Sequence, residues 1–95
     1  MPIGGFSFYD IDFVRKGTGP WIVMQGEITN NTRDYHTCVF HLSVFDKNLL
    51  LWTGALKIAG FRKGCTKPFE VLMEGLNHQS LPSISRYDIF FESGY

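Results

Sequence analysis

Between Thr37 and Val44 the side chains sort into two sets with a period of two. Cys38, Phe40, Leu42 and Val44 fall on one side, and Thr37, Val39, His41 and Ser43 on the other. A helix turns about 100° per residue and cannot hold four consecutive even positions on one face, whereas an extended strand does so automatically. This stretch is therefore a strand with one wholly apolar face. Such a face is stable only against a second layer, which makes the strand a central one.

The same signature recurs along the chain. Phe6 to Val14 carries Phe6, Phe8, Tyr9, Ile11 and Phe13, and closes at Gly17-Thr18-Gly19-Pro20. Trp21 to Thr29 places Ile22, Met24, Gly26 and Ile28 on one face and Trp21, Val23, Gln25 and Glu27 on the other. Asn30-Asn31-Thr32-Arg33-Asp34 is a turn by composition, because Asn and Asp tolerate positive φ and bond their own backbone. Asp46-Lys47-Asn48 has hairpin length and leads into Leu49 to Ile58, where Leu50, Trp52, Leu56 and Ile58 separate from Leu49, Leu51, Thr53 and Lys57. Gly54 marks a bulge or a close backbone approach.

After the turn Arg62-Lys63-Gly64, the run Cys65 to Glu74 reads two ways. Phe69, Val71 and Met73 alternate as in a strand, yet Phe69, Leu72, Met73 and Leu76 also sit at helical spacing after Pro68. Gly75 to Ser85 is a polar crossover with room for one helical turn, and Arg86 to Glu92 closes the chain with Tyr87, Ile89 and Phe91 set against Asp88, Phe90 and Glu92. Six or seven short strands with half-apolar faces predict an all-β, immunoglobulin-like β-sandwich of antiparallel strands. At 95 residues the chain has room for a single domain, 1–95, with its core between about 6 and 92.

Three segments carry a family resemblance. Ile22 to Thr32 resembles an apolar strand followed by Gly-Glu-apolar-x-Asn-Asn. Leu42-Ser43-Val44-Phe45-Asp46-Lys47 resembles the motif that gives the FxLYD domain family its name, with Leu for the first Phe, Val for Leu and Phe for Tyr. Phe61 to Val71 is similar to that family's turn-Gly-x-x-x-x-Phe-x-Val strand. The resemblance implies a small Ig-like sandwich and transfers no catalytic residue. In mechanical terms Asp46 and Asn30 would order their turns by accepting backbone N–H bonds, and Gly26 would permit close packing beneath the opposite sheet.

Charge and composition narrow the function classes. Nine Lys and Arg balance nine Asp and Glu, which argues against a surface that tracks nucleic-acid phosphates. Apolar runs such as Leu49 to Trp52 end far short of the roughly 20 residues of a spanning helix. Met1 to Phe6 lacks the basic start and apolar stretch of a secretory signal, so the expected setting is cytoplasmic unless the domain is cut from a longer chain. In that setting Cys38 and Cys65 are expected as free thiols, and Asn30-Asn31-Thr32 reads as a turn rather than a glycosylation acceptor.

Catalytic and metal chemistry finds weak footing. His36-x-Cys38-x-x-His41 has suitable ligands for zinc, but on a strand His41 points away from the other two. Cys65 has basic neighbours in Lys63 and Lys67 but no histidine or asparagine placed beside it, which leaves a small thiol enzyme as a minor alternative. Asp10, Asp12, Asp34, Asp46 and Asp88 raise a second alternative, a C2-like calcium- or lipid-binding domain, which would need six to eight converging oxygens. Arg62, Lys63 and Lys67, with Lys57, form the one basic concentration and read as a solvated loop. No cofactor is implied.

The aromatic content exceeds what a thin core can hold: nine Phe, four Tyr and two Trp. Trp21, Phe45, Leu49, Leu51 and Phe90 fall on the side of their strands opposite the assigned core. Contiguous exposed apolar groups mark interfaces. The resulting expectation is a non-enzymatic interaction or assembly module that binds a protein partner, a neighbouring domain or a second copy through a sheet face or an open edge.

Overall fold

The computed structural model describes all residues from Met1 to Tyr95. Its seven strands are β1 (Pro2–Ile3), β2 (Phe6–Arg15), β3 (Trp21–Asn30), β4 (Tyr35–Asp46), β5 (Leu49–Phe61), β6 (Thr66–Asn77) and β7 (Arg86–Gly94). A 3-10 helix, His78–Ser83, bridges β6 and β7, and no helix is long and apolar enough to cross a membrane. One sheet has the order β1-β2-β3-β6 and the other β5-β4-β7, with every neighbouring pair antiparallel. The chain changes sheet after β3, β5 and β6, and the result is an immunoglobulin-like sandwich.

The run with two periodicities resolves as strand β6. Phe69 and Met73 are buried and Val71 packs on the core, while Leu72 stays on the outer surface. The inner faces contribute Phe6 and Phe8 from β2, Ile22, Met24 and Ile28 from β3, the predicted quartet from β4, Leu56, Ile58 and Phe61 from β5, and Ile89 from β7. Leu81 and Ile84, from the crossover, pack against this cluster from one end. Phe40 sits at its centre, with the rings of Phe6, Phe8 and Phe91 at 4.9, 5.4 and 5.6 Å.

Bulges account for the breaks in strict alternation within β2 and near the start of β5. In β2 the pairing with β3 slips between Tyr9 and Asp12, and Asp10 adopts φ 53°. The extra residue shifts the phase, so that Phe6 and Phe8 face inward before the bulge and Ile11 and Phe13 pack on the core after it. Asp10 lies within this irregularity and Asp12 just past it. Gly26 lies opposite it: a Cβ there would stand 2.8 Å from the Tyr9 carbonyl oxygen, so the close approach comes from the bulged neighbour within the same sheet rather than from the opposite sheet.

A second slip, between Val44 and Phe45, corrects the reading of β5. Val44 pairs with Trp52 and Phe45 with Leu50, which leaves Leu51 as the extra residue. Leu51 packs on the core and Leu50 is 50% exposed, the reverse of simple alternation. Gly54 is in regular register with Leu42, and its missing side chain makes room for the Trp52 ring, whose nearest atom would lie 2.3 Å from an added Cβ.

The turns also differ in mechanism. Asn30 behaves as its residue type predicts and goes further. Its Oδ1 accepts from the Thr32 backbone N–H and hydroxyl, both at 2.9 Å, and its Nδ2 donates to the carbonyls of Arg33 at 2.6 Å and Phe61 at 3.0 Å. Asp46, by contrast, does not cap its hairpin. The backbone N–H of Lys47, at φ 55°, donates to Ser85 Oγ at 2.5 Å, and Arg86 Nε donates to the Lys47 carbonyl at 3.1 Å. The β4–β5 hairpin is thus fastened to the start of β7.

Candidate functional site

The outer face of the three-stranded sheet follows from the registers of β4 with its two neighbours. Across the face, Leu50, Phe45 and Arg86 form one row, then Thr53, Ser43 and Asp88, then Ala55, His41 and Phe90, and finally Lys57, Val39 and Ser93. The first row sets Leu50 and Phe45 beside the Arg86 cation, the second is polar, and the third carries the aromatic rings of His41 and Phe90. Arg86 lies over the Phe45 ring, with its guanidinium carbon 3.8 Å from the ring centroid, and also pairs with Asp88 at 3.1 Å. This contact covers part of Phe45, which is half-buried.

His41 stacks on Phe90 with 4.9 Å between ring centroids and 30° between planes. Its Nε2 lies 2.8 Å from the Thr53 hydroxyl, which is also 3.1 Å from the Leu42 carbonyl oxygen. The stack holds Phe90 in place although the residue is 52% exposed. At the hairpin end of the face Leu49 is 65% exposed, beside Leu50. Phe90 and Leu50 are thus the large exposed apolar groups of this face, with Leu49 beside it at the hairpin tip, while Thr53, Ser43, Asp88 and Lys57 make much of the remainder polar.

No protein-family model, curated protein or solved structure matches this chain. Function has to be read from the surface chemistry alone.

The five residues singled out from the sequence do not share one surface. Phe45 and Phe90 lie on this face, and Leu49 borders it at the tip of the hairpin. Leu51 is turned toward the core by the bulge. Trp21 belongs to the other sheet, at the start of β3, where the neighbouring row is Val14, Val23 and Leu72. Val23 is only 2% exposed although it lies on the outer side of its sheet, while Leu72 beside it is 47% exposed, so that row forms a small, partly covered apolar patch. Leu50 was missed by sequence reasoning because only the bulge brings it outward. A one-residue excess of apolar groups in Leu49-Leu50-Leu51-Trp52, too many for alternation, was the available signal.

The groups considered for other chemistry are dispersed. Cys38 is buried among the core side chains, and burial pushes its thiol above the ordinary range. Cys65 is a free, exposed thiol in the β5–β6 connection. The ring nitrogens of His36 and His41 engage the hydroxyls of Thr37 and Thr53, not a thiol. No group of three or more His, Cys, Asp or Glu side chains converges so as to hold a metal ion. Asn30 of the Asn-x-Thr pattern is fully buried with both amide donors in use, which suits a turn and not an acceptor of glycans.

Proposed function

We propose that this domain is a non-enzymatic protein-binding module whose contact surface is the outer face of the β5-β4-β7 sheet. The observation that carries the reading is the exposure of Leu50 and Phe90, each half or more exposed, on a face that also holds the Phe45–Arg86 and His41–Phe90 stacks, with Leu49 exposed at the adjoining hairpin tip. Large apolar side chains held immobile at a surface give up little conformational freedom on binding, which is what makes aromatic and arginine groups effective anchors. The likeness to FxLYD domains, small modules without a catalytic motif, supports the same reading. The open edge of β7 supplies a second means of attachment on the same sheet, through its free main-chain groups.

The test compares three proteins as bait for a partner: wild type, the combined variant Leu49→Ser, Leu50→Ser and Phe90→Ser, and Trp21→Ser on the opposite sheet. Leu51 is left intact because it packs on the core. All three substituted positions are exposed, so the combined variant should unfold within about 1 kcal/mol of wild type, from a few tenths per surface site. Partner capture lost in the face variant and kept in Trp21→Ser supports the reading. Equal capture by all three rejects it.

A further inference from the structure

The four outermost strand edges differ in how well they resist pairing with another chain. β6 carries Pro68, which has no N–H to offer, and a left-handed Gly75. The edge of β2 is covered at Phe6 and Ser7 by β1 and broken at Asp10 by the bulge. β5 is interrupted by the bulge at Leu51 and by a left-handed Gly60, and Lys67 Nζ already donates to its Ala59 carbonyl at 2.8 Å. β7 has no proline, no lysine and no glycine before its last residue. Its ends are tied to the rest of its own sheet, by Ser85 N–H to the Phe45 carbonyl at 2.9 Å and by Tyr95 N–H to the Thr37 carbonyl at 3.1 Å. The first turn of the chain touches it at Phe91, where a Cβ on Gly4 would lie 3.5 Å from the Phe91 Cβ.

We propose that β7 pairs with β7 of a second copy of this chain, antiparallel about a two-fold axis through Ile89, which joins the two three-stranded sheets into one of six strands. The inference rests on the proposed binding face, because the seam would run across that face and double it. Charge chooses both the partner and the register. In a two-fold antiparallel pair, opposite residues must point to the same side of the sheet, so the axis passes through a residue and only a few registers exist. An axis at Asp88 sets two carboxylates against each other, and an axis at Phe90 sets Asp88 against Glu92 twice. The axis at Ile89 sets Arg86 against Glu92 twice, Asp88 against Phe90, and Tyr87 against Phe91 on the inner side. The outward charges of β7, which repel a strand in the registers centred on Asp88 and Phe90, attract in this one, and an axis at Tyr87, which also opposes Arg86 and Asp88, would pair only the first three residues of the strand. Glu92 is the extra residue of a bulge against β4, and the long side chains of both Arg86 and Glu92 absorb that irregularity.

Cross-linking reads the register directly. In a chain with Cys65→Ser, the variants Asp88→Cys and Phe90→Cys are oxidised separately and mixed. The mixture should form a disulfide-linked dimer that neither protein forms alone, because opposite Cβ atoms lie about 5 Å apart. Linkage of Asp88→Cys alone or Phe90→Cys alone identifies another register and overturns the proposal. In parallel, sedimentation equilibrium of the wild-type chain should give a dimer, and Glu92→Arg should weaken it about tenfold by replacing two attractive pairs with two repulsive ones. Glu92 is exposed, so thermal unfolding of Glu92→Arg at a concentration too low for association should match wild type. A monomer at roughly millimolar concentration overturns the proposal. The result is independent of partner capture: a chain that captures its partner but stays monomeric removes the seam and leaves the face, and a dimer without capture does the opposite.

Discussion

Asn30 and Asn31 are adjacent, identical in type and placed in one turn, yet they contribute very differently. Asn30 is wholly buried, and its amide makes four hydrogen bonds that join the β3–β4 turn to the end of β5. Its own backbone adds two more links, accepting from Gly64 N–H at 2.7 Å and donating to the Cys65 carbonyl at 3.0 Å. Asn31 is exposed, and its side chain donates one bond, to Ser7 Oγ at 3.1 Å, beside a backbone bond from its N–H to the Gly5 carbonyl at 3.1 Å. Truncating a satisfied buried amide strands its partners in a dry site, so Asn30→Ala should lower unfolding stability by about 2–4 kcal/mol, whereas Asn31→Ala should stay within about 0.5 kcal/mol. Urea denaturation of the two single variants measures the difference. Equal effects would show that Asn30 acts only as a local turn residue. That local role was legible in the sequence, since asparagine's habit of bonding its own backbone is intrinsic. The Phe61 carbonyl lies 31 positions away, and nothing short of the tertiary fold could have supplied it. Asp46 shows the opposite outcome, because a side chain brought from Ser85 took the bond that a local cap would have made.

At the scale of elements, strand positions were readable and strand phases were not. Alternation located six of the seven strands, but it presumes unbroken pairing, and bulges reset it in β2 and β5. The reset in β2 was written in the sequence as a change of parity, from Phe6 and Phe8 to Ile11 and Phe13. That parity yields a sharp expectation. Removing one residue from a strand normally turns everything beyond it to the wrong face. Deleting Asp10 does not: Phe6, Phe8, Ile11 and Phe13 then fall into one continuous phase, Ile11 comes opposite Gly26, and a residue held at φ 53° is lost. The deletion should fold with stability changed by no more than about 1–2 kcal/mol, since relief of left-handed strain offsets the lost twist of the bulge. Deleting Ser7 instead turns the fully buried Phe6 outward, and should abolish cooperative unfolding. Comparing the two deletions by circular dichroism and thermal melting decides the matter, and failure of the Asp10 deletion to fold would mean that the bulge shapes the sheet.

Across the whole molecule the aromatic side chains divide into two populations that the sequence could count but not sort. One population joins the layers: Phe40, from the three-stranded sheet, meets Phe6 and Phe8 of the other sheet edge-on at 4.9 and 5.4 Å and Phe91 of its own at 5.6 Å. The other is displayed, with Phe90 stacked on His41 at the surface. The excess of aromatic residues that first suggested an interface is therefore partly structural, since Phe6, Phe40, Phe61 and Phe91 form one contiguous cluster. The two populations should separate cleanly in stability. Phe40→Ala removes a ring shared by both sheets and leaves a cavity that strands cannot close without breaking their ladders, for a loss of about 3–5 kcal/mol. A domain of this size has about 5–15 kcal/mol in total, so the variant should be marginal and melt tens of degrees earlier. Phe90→Ala removes a ring of the same size from the surface and should shift the melt by only a few degrees, its loss confined to the contact with His41. Matched melting curves of these two variants would locate where the two layers are held together; a large loss from Phe90→Ala would make the outer face part of the scaffold and remove it as a binding surface.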